Sequence, residues 1–185
     1  PEFPEGTSLV LTIDRAIQAS MEDLIDQEVR NTGSVSGTIV VLAPKTGEVM
    51  AMATTPRMDL NEFWRAGEIF TDTTPFNRTV SETYEPGSVY KVLTMAAGLD
   101  SGAVSPSTEF IDRGIIEVGG TQIRNWNSGA WGPQDMQGCM QHSLNVCLAW
   151  IAKQMGTTTF YAYMQRFGIG HLSGIDLAGE AAGRL

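Results

Sequence analysis

Two short stretches carry residue types that can attack a carbonyl and move a proton. In Ser88-Val89-Tyr90-Lys91 a hydroxyl and an amine stand three positions apart, just after Pro86-Gly87. If this stretch opens a helix, positions i and i+3 share a face and the amine can reach the hydroxyl. A partly desolvated lysine beside a serine can be neutral and accept its proton. The unpaired N–H groups of a helix start also favour an anionic oxygen nearby. Ser143-Leu144-Asn145 follows 55 residues later, in a break between apolar runs. Its hydroxyl can relay a proton, and its amide can hold a lysine or a carbonyl. Each signal is weak alone, because ordinary usage yields about one chance Ser-x-x-Lys in a chain of this length. A third polar cluster, Lys45-Thr46-Gly47, sits ahead of both.

The elements that must position these residues can be read from periodicity. Leu9-Val10-Leu11-Thr12-Ile13 reads as a short strand, and Asp14 as the N-cap of a helix with Ile17, Met21, Leu24, Ile25 and Val29 at helical spacing. Asn31-Thr32-Gly33 stops that helix. Two apolar runs, residues 37–42 and 49–53, flank Pro44-Lys45-Thr46-Gly47 and predict a hairpin with both strands buried. Lys45 is then a solvated turn residue. Residues 56–75 read as loop with one short helix near Asn61 to Arg65. Val92, Leu93, Ala96 and Leu99 mark a helix ended by Asp100-Ser101-Gly102, and residues 115–123 a small hairpin turning at Gly119-Gly120. Met136 to Met155 is helical in two pieces around Ser143. Thr157 caps a further helix that runs to Arg166, and Gly168 ends it.

The chain has 185 residues, 42% hydrophobic, enough for a packed core, with a net charge of −9. An acidic chain with scattered lysines gives no reason to expect nucleic-acid binding. No run is long and apolar enough to span a membrane, and no signal peptide opens the chain. His142 and His171 lack neighbours at metal-ligand spacing, so neither a metal nor a cofactor is expected. On one continuous helix Cys139 and Cys147 would stand roughly 12 Å apart, too far to bridge, so two free, mostly buried thiols are expected.

Taken together, the two motifs resemble those of the penicillin-binding transpeptidases, the serine acyl-transferases that cross-link peptidoglycan. The likeness extends beyond them and keeps its order along nearly the whole chain. "LVLTIDRAIQ" is similar to the start of the catalytic domain in class B, monofunctional members, and "IVVLAPKTGEVMAMATTP" to their first hairpin. "FNRTVSETYEPGSVYKVLT" resembles their nucleophile segment, "CMQHSLNVCLAWIAKQMG" their second motif, and "FYAYMQRFGIGHLSGIDLAGEAAGRL" the glycine-rich segments that follow.

The resemblance implies a mixed fold, α/β of the α+β type, shared with serine β-lactamases: a five-stranded antiparallel sheet flanked by helices plus a helical subdomain. Residues 1–80 would supply the first helix, the hairpin and a connecting loop, and residues 81–185 the nucleophile helix and the helical subdomain. It implies that Ser88 is the acylated nucleophile, Lys91 its general base, and Ser143 and Asn145 the second motif. The Ser88 N–H would be half of an oxyanion hole. "RNWN" and "AWGPQDMQ" would line or approach the cleft, and Cys147 would have no catalytic part.

The family's third motif, Lys-Ser/Thr-Gly on a sheet strand, follows the second in chain order, and no such tripeptide occurs after Asn145. Lys45-Thr46-Gly47 precedes the nucleophile and is therefore not that motif. The expectation is a portion of one transpeptidase domain, inactive alone, and either completed by a complementary chain that carries the remaining strands or paired with itself through the exposed sheet edge. The implied activity is D,D-transpeptidation of stem peptides ending in D-Ala-D-Ala, blocked by β-lactams. Alternatives are a D,D-carboxypeptidase or β-lactamase that uses water as acceptor, and a non-catalytic β-lactam sensor or assembly module. The implied location is the outer face of a bacterial cell membrane, anchored upstream of Pro1, beside a cell-wall polymerase.

Overall fold

Asp14 accepts hydrogen bonds from the Ala16 and Ile17 N–H groups and so starts helix α1, Arg15–Thr32. The computed structural model describes residues 6, 8–70 and 77–185. They form two units: Pro1–Glu82 with Leu177–Ala181, and Thr83–Asp176 with Ala182–Leu185.

In the first unit α1 lies on the antiparallel pair β1, Gly37–Leu42, and β2, Val49–Thr55. Gly47 at φ 79° closes the turn between them by donating to the Ala43 carbonyl at 2.8 Å. Lys45 is exposed there, as expected of a turn residue. Gln18 bonds both backbone groups of Met52, its Oε1 accepting at 2.8 Å and its Nε2 donating at 3.1 Å. This side chain covers part of the free edge of β2. Ile25 seats α1 so closely that a Cβ on Gly37 would fall 2.6 Å from its Cδ1. Arg57 forks onto Asp26 with two bonds of 2.7 Å. A short 3₁₀ turn, Leu60–Arg65, leads into α2, Ala66–Ile69, and α3 is Arg78–Ser81. The returning segment joins here, with the Ala181 N–H on the Val80 carbonyl at 2.8 Å.

Two expectations for this unit need correcting. Residues 9–13 form no strand, and Leu9, Val10 and Leu11 are exposed. The segment reaches β2 only through Thr12 Oγ1 on the Val49 carbonyl and Asp14 N–H on that of Met50, too few bonds for a ladder. The hairpin is not buried on both strands either. β1 alternates between half-buried and exposed, with Val40 and Leu42 outward, because α1 covers one face only.

The second unit holds the main core. A 3₁₀ turn, Gly87–Tyr90, runs into α4, Lys91–Asp100. Then come β3, Phe110–Asp112, the hairpin of β4, Ile115–Val118, and β5, Thr121–Arg124, and β6, Gly132–Gln134, which pairs antiparallel with β3. Helices α5, Met136–Gln141, α6, Asn145–Met155, and α7, Thr157–Arg166, complete it. Thr157 is the first residue of α7 and not its cap, since Gly156 precedes it without a side-chain bond. Leu144, Val146, Cys147, Leu148 and Ile151 pack with Met95, Ala97, Val104 and Met164. On α4 the buried face is Thr94, Met95, Ala97 and Gly98, while Val92 and Leu99 are exposed. The small residues let α6 approach, and a Cβ on Gly98 would sit 2.5 Å from Ile151 Cγ2.

The free-thiol expectation fails. Cys139 and Cys147 form a disulfide with Cα atoms 6.0 Å apart. The assumption of one continuous helix is what breaks, because the chain reverses at Ser143, which has φ 51°. Denatured, unreduced protein is predicted to show no free thiol and to show two after reduction. Replacing both cysteines by alanine should lower the unfolding free energy by about 2–3 kcal/mol in denaturant titrations.

Candidate active site

Gly87, at φ 62°, directs the chain from Pro86 into the 3₁₀ turn that carries Ser88. The sequence predicts a plain helix start there. The structure tightens it to three residues per turn, which eclipses positions i and i+3. Ser88 and Lys91 are thereby aligned, with Lys91 Nζ 3.2 Å from Ser88 Oγ.

Ser143 closes helix α5 by a Schellman arrangement. The Leu144 N–H reaches the Cys139 carbonyl at 3.0 Å and the Ser143 N–H that of Met140 at 3.1 Å. Glycine is the usual residue at this left-handed position. The serine turns its carbonyl and hydroxyl together onto one atom: Lys91 Nζ donates to Ser143 O at 2.7 Å and to Ser143 Oγ at 2.8 Å. Ser143 Oγ in turn donates to Ser88 Oγ at 3.2 Å.

These contacts define a proton path. A charged Lys91 offers three N–H donors to three oxygens. A neutral Lys91 keeps two, both taken by Ser143, and its lone pair then faces Ser88 Oγ. Desolvation by burial pulls the Lys91 pKa below the ordinary lysine value, which favours that neutral form. Ser88 itself is exposed, so an incoming carbonyl can reach it. Its N–H lies in the first turn of a helix, where donors have no partner within the helix.

Ser88, Lys91 and Ser143 come together in one hydrogen-bonded cluster. Asn145 stands at the start of α6, and its Nδ2 donates to the Arg124 carbonyl at 2.9 Å, not to Lys91. Sequence reasoning left four residues of this neighbourhood without roles. Asp112 and Asn125 are buried and bonded at 2.6 Å; Trp131 stacks on His142 with ring centroids 4.2 Å apart. The only signal was that "RNWN" and "AWGPQDMQ" would approach the cleft. Lys45-Thr46-Gly47 lies in the first unit, in the hairpin turn. Among the described residues no group of His, Cys, Asp and Glu suits a metal ion, and no helix is long and apolar enough to cross a membrane.

The penicillin-binding protein transpeptidase domain matches residues 37–185. Stage V sporulation protein D of Bacillus subtilis is 32% identical over 184 residues, 98% of this chain and 28% of that protein. Penicillin-binding protein PbpB of Mycolicibacterium smegmatis is 33% identical over 183 residues, again 98% of this chain and 28% of the relative. A probable peptidoglycan D,D-transpeptidase, PenA of Neisseria gonorrhoeae, is 30% identical over 97% of this chain and 30% of its own length. The chain thus spans under a third of these relatives. Among solved structures, penicillin-binding protein 3 of Mycobacterium tuberculosis in complex with aztreonam superposes with a TM-score of 0.84 at 30% identity, covering 95% of this chain and 38% of that one.

The lowered Lys91 pKa has a measurable sign. Between the folded and unfolded values the folded state binds fewer protons, so stability rises as pH rises through that window. NMR titration is predicted to place the Lys91 midpoint below the ordinary lysine value, and Lys91→Met should remove that pH-dependent gain from thermal melts.

Proposed function

Because the chain belongs to the penicillin-binding protein transpeptidase domain family, we propose that it carries the nucleophile and base of a peptidoglycan D,D-transpeptidase of the class B type. The carrying observation is Lys91 Nζ, within hydrogen-bond distance of Ser88 Oγ and fixed by both oxygens of Ser143.

In this reading Ser88 Oγ attacks the penultimate D-Ala carbonyl of a stem peptide and its proton passes to Lys91 Nζ. The developing oxyanion lies by the Ser88 N–H, where the helix start favours negative charge. As the tetrahedral intermediate collapses, the proton moves from Lys91 to the leaving D-Ala nitrogen, and Ser143 Oγ bridges the transfer. An ester on Ser88 remains. The amine of a neighbouring stem peptide then attacks that ester, Lys91 takes its proton and returns it to the departing Ser88 Oγ, and free Ser88 is regenerated with the cross-link formed. A β-lactam follows the first half of this path. Its ring amide opens without releasing a fragment, which leaves Ser88 esterified. Asn145 at the α6 start is the amide proposed to bind the peptide backbone. No cofactor is needed for this chemistry.

The proposed partners are the D-Ala-D-Ala stem peptide, β-lactams and a cell-wall polymerase. The proposed location is the outer face of a bacterial cell membrane, and the Cys139–Cys147 disulfide suits such an oxidising compartment.

Fluorescent penicillin tests the assignment on the protein at its native length. Wild type is expected to take one label per molecule and Ser88→Ala none; a labelled Ser88→Ala protein overturns the assignment. Lys91→Arg keeps the charge but cannot present a lone pair, and should slow acylation by about 100-fold or more.

A further inference from the structure

A buried carboxylate, Asp112, is 1% exposed and lies beside Asn125, which is 3% exposed. Asp112 Oδ1 accepts from the Gly114 N–H at 2.9 Å. Its Oδ2 accepts from Asn125 Nδ2 at 2.6 Å and from the Trp131 N–H at 3.1 Å. Asn125 Nδ2 also donates to the Gly129 carbonyl at 3.0 Å, and its Oδ1 accepts from the Val146 N–H at 3.2 Å. With two acceptors on the nitrogen side and a donor on the oxygen side, this amide has one admissible orientation.

Two of these partners, Val146 and Trp131, lead to the turn that holds Lys91. Val146 follows Asn145, and its N–H is an orphan of the α6 start, because Leu144 at the N-cap has no capping side chain. Asn125 supplies that cap from 21 residues upstream. The preceding backbone carbonyl, that of Arg124, accepts from Asn145 itself. On the other side of the turn, Trp131 is tied to Asp112 by its N–H and stacks on His142, the neighbour of Ser143. One carboxylate thus grips the Ser143–Asn145 turn from both flanks. Burying a carboxylate is costly, and an apolar residue of similar volume would fill the space without that cost. What the polar set adds is direction: it fixes where α6 begins and how Ser143 and Asn145 point.

We propose that Asp112 and Asn125 are positioning residues for the acylation step, acting through the Ser143–Asn145 turn on Lys91 and Ser88. The proposal rests on the transpeptidase reading above. Neither residue touches substrate; each holds the turn whose carbonyl and hydroxyl orient the base.

The test is the limiting acylation rate at saturating fluorescent penicillin, measured on the native-length protein. The label stoichiometry at completion counts competent molecules, so the rate is expressed per competent molecule. A purely structural role lowers that count and leaves the rate alone. Asn125→Ala and Asp112→Ala are expected to slow acylation by about tenfold or more. Asp112→Asn can still turn its carbonyl oxygen to Asn125 Nδ2 and the Trp131 N–H, but it loses the Gly114 bond and sets its own NH2 against the Gly114 N–H. It should recover most of the loss, remaining about threefold slow. An Asn125→Ala protein within twofold of wild type overturns the proposal, as do equal losses for Asp112→Asn and Asp112→Ala. In either case a wild type that labels while Ser88→Ala does not leaves the transpeptidase reading standing. A wild type that never labels removes that reading, and the proposal with it.

Discussion

The hold of Ser143 on Lys91 is the contact on which the site depends. A lysine has a long, freely rotating side chain, and fixing it in one rotamer costs entropy on the order of 2 kcal/mol. Two short bonds from one residue, 2.7 Å to the carbonyl and 2.8 Å to the hydroxyl, offset that cost and leave one direction for the nitrogen lone pair. The carbonyl is available because Ser143 occupies the left-handed region, φ 51°. An L-residue there is strained by about 1–2 kcal/mol, and glycine would relieve it. Glycine has no hydroxyl, however, and the hydroxyl joins Lys91 to Ser88. Local stability is given up at the position where the chemistry needs an oxygen.

Holding two residues 52 positions apart in that contact requires two helices to cross at a set distance. Gly98 on α4 and Ile151 on α6 set it, and any side chain on Gly98 would push Ile151 away. Lys91 is half-buried, and that partial desolvation is the cause of its lowered pKa. The Cys139–Cys147 link adds a covalent tie across the turn, joining the last full turn of α5 to the first turn of α6.

The parts legible in the sequence were those whose geometry is local. Ser88 and Lys91 lie within one turn of chain. The Pro44-to-Gly47 turn and the Gly119-Gly120 turn carry their backbone angles in their residue types. The break at Ser143 showed as a gap in apolar periodicity. What stayed hidden depends on distant partners. β3 and β6 are three residues each, one containing Pro133, and show no period until they meet. Asp112 reads as a loop acid until Gly114, Asn125 and Trp131 surround it. The disulfide escapes a helical-spacing argument because the chain reverses at Ser143, between the two cysteines. Leu9 to Ile13 failed the other way, since strand-like composition cannot form a strand without a ladder partner.

That contrast says something about how such a site is encoded. Ser88, Lys91, Ser143 and Asn145, the residues of the proposed reaction, sit near helix starts, where short motifs can specify backbone direction. The groups that align the two motifs with each other lie elsewhere. The Gly98 contact sets the distance between the helices, and the Asp112–Asn125 pair sets the rotation of the α6 start. Distance and rotation must both be right, because a base displaced by about 1 Å loses much of its effect. Neither device resembles catalytic chemistry when read alone, one being a missing side chain and the other a buried polar pair. Each becomes meaningful only once Lys91 Nζ is located at the point where the two helices deliver it.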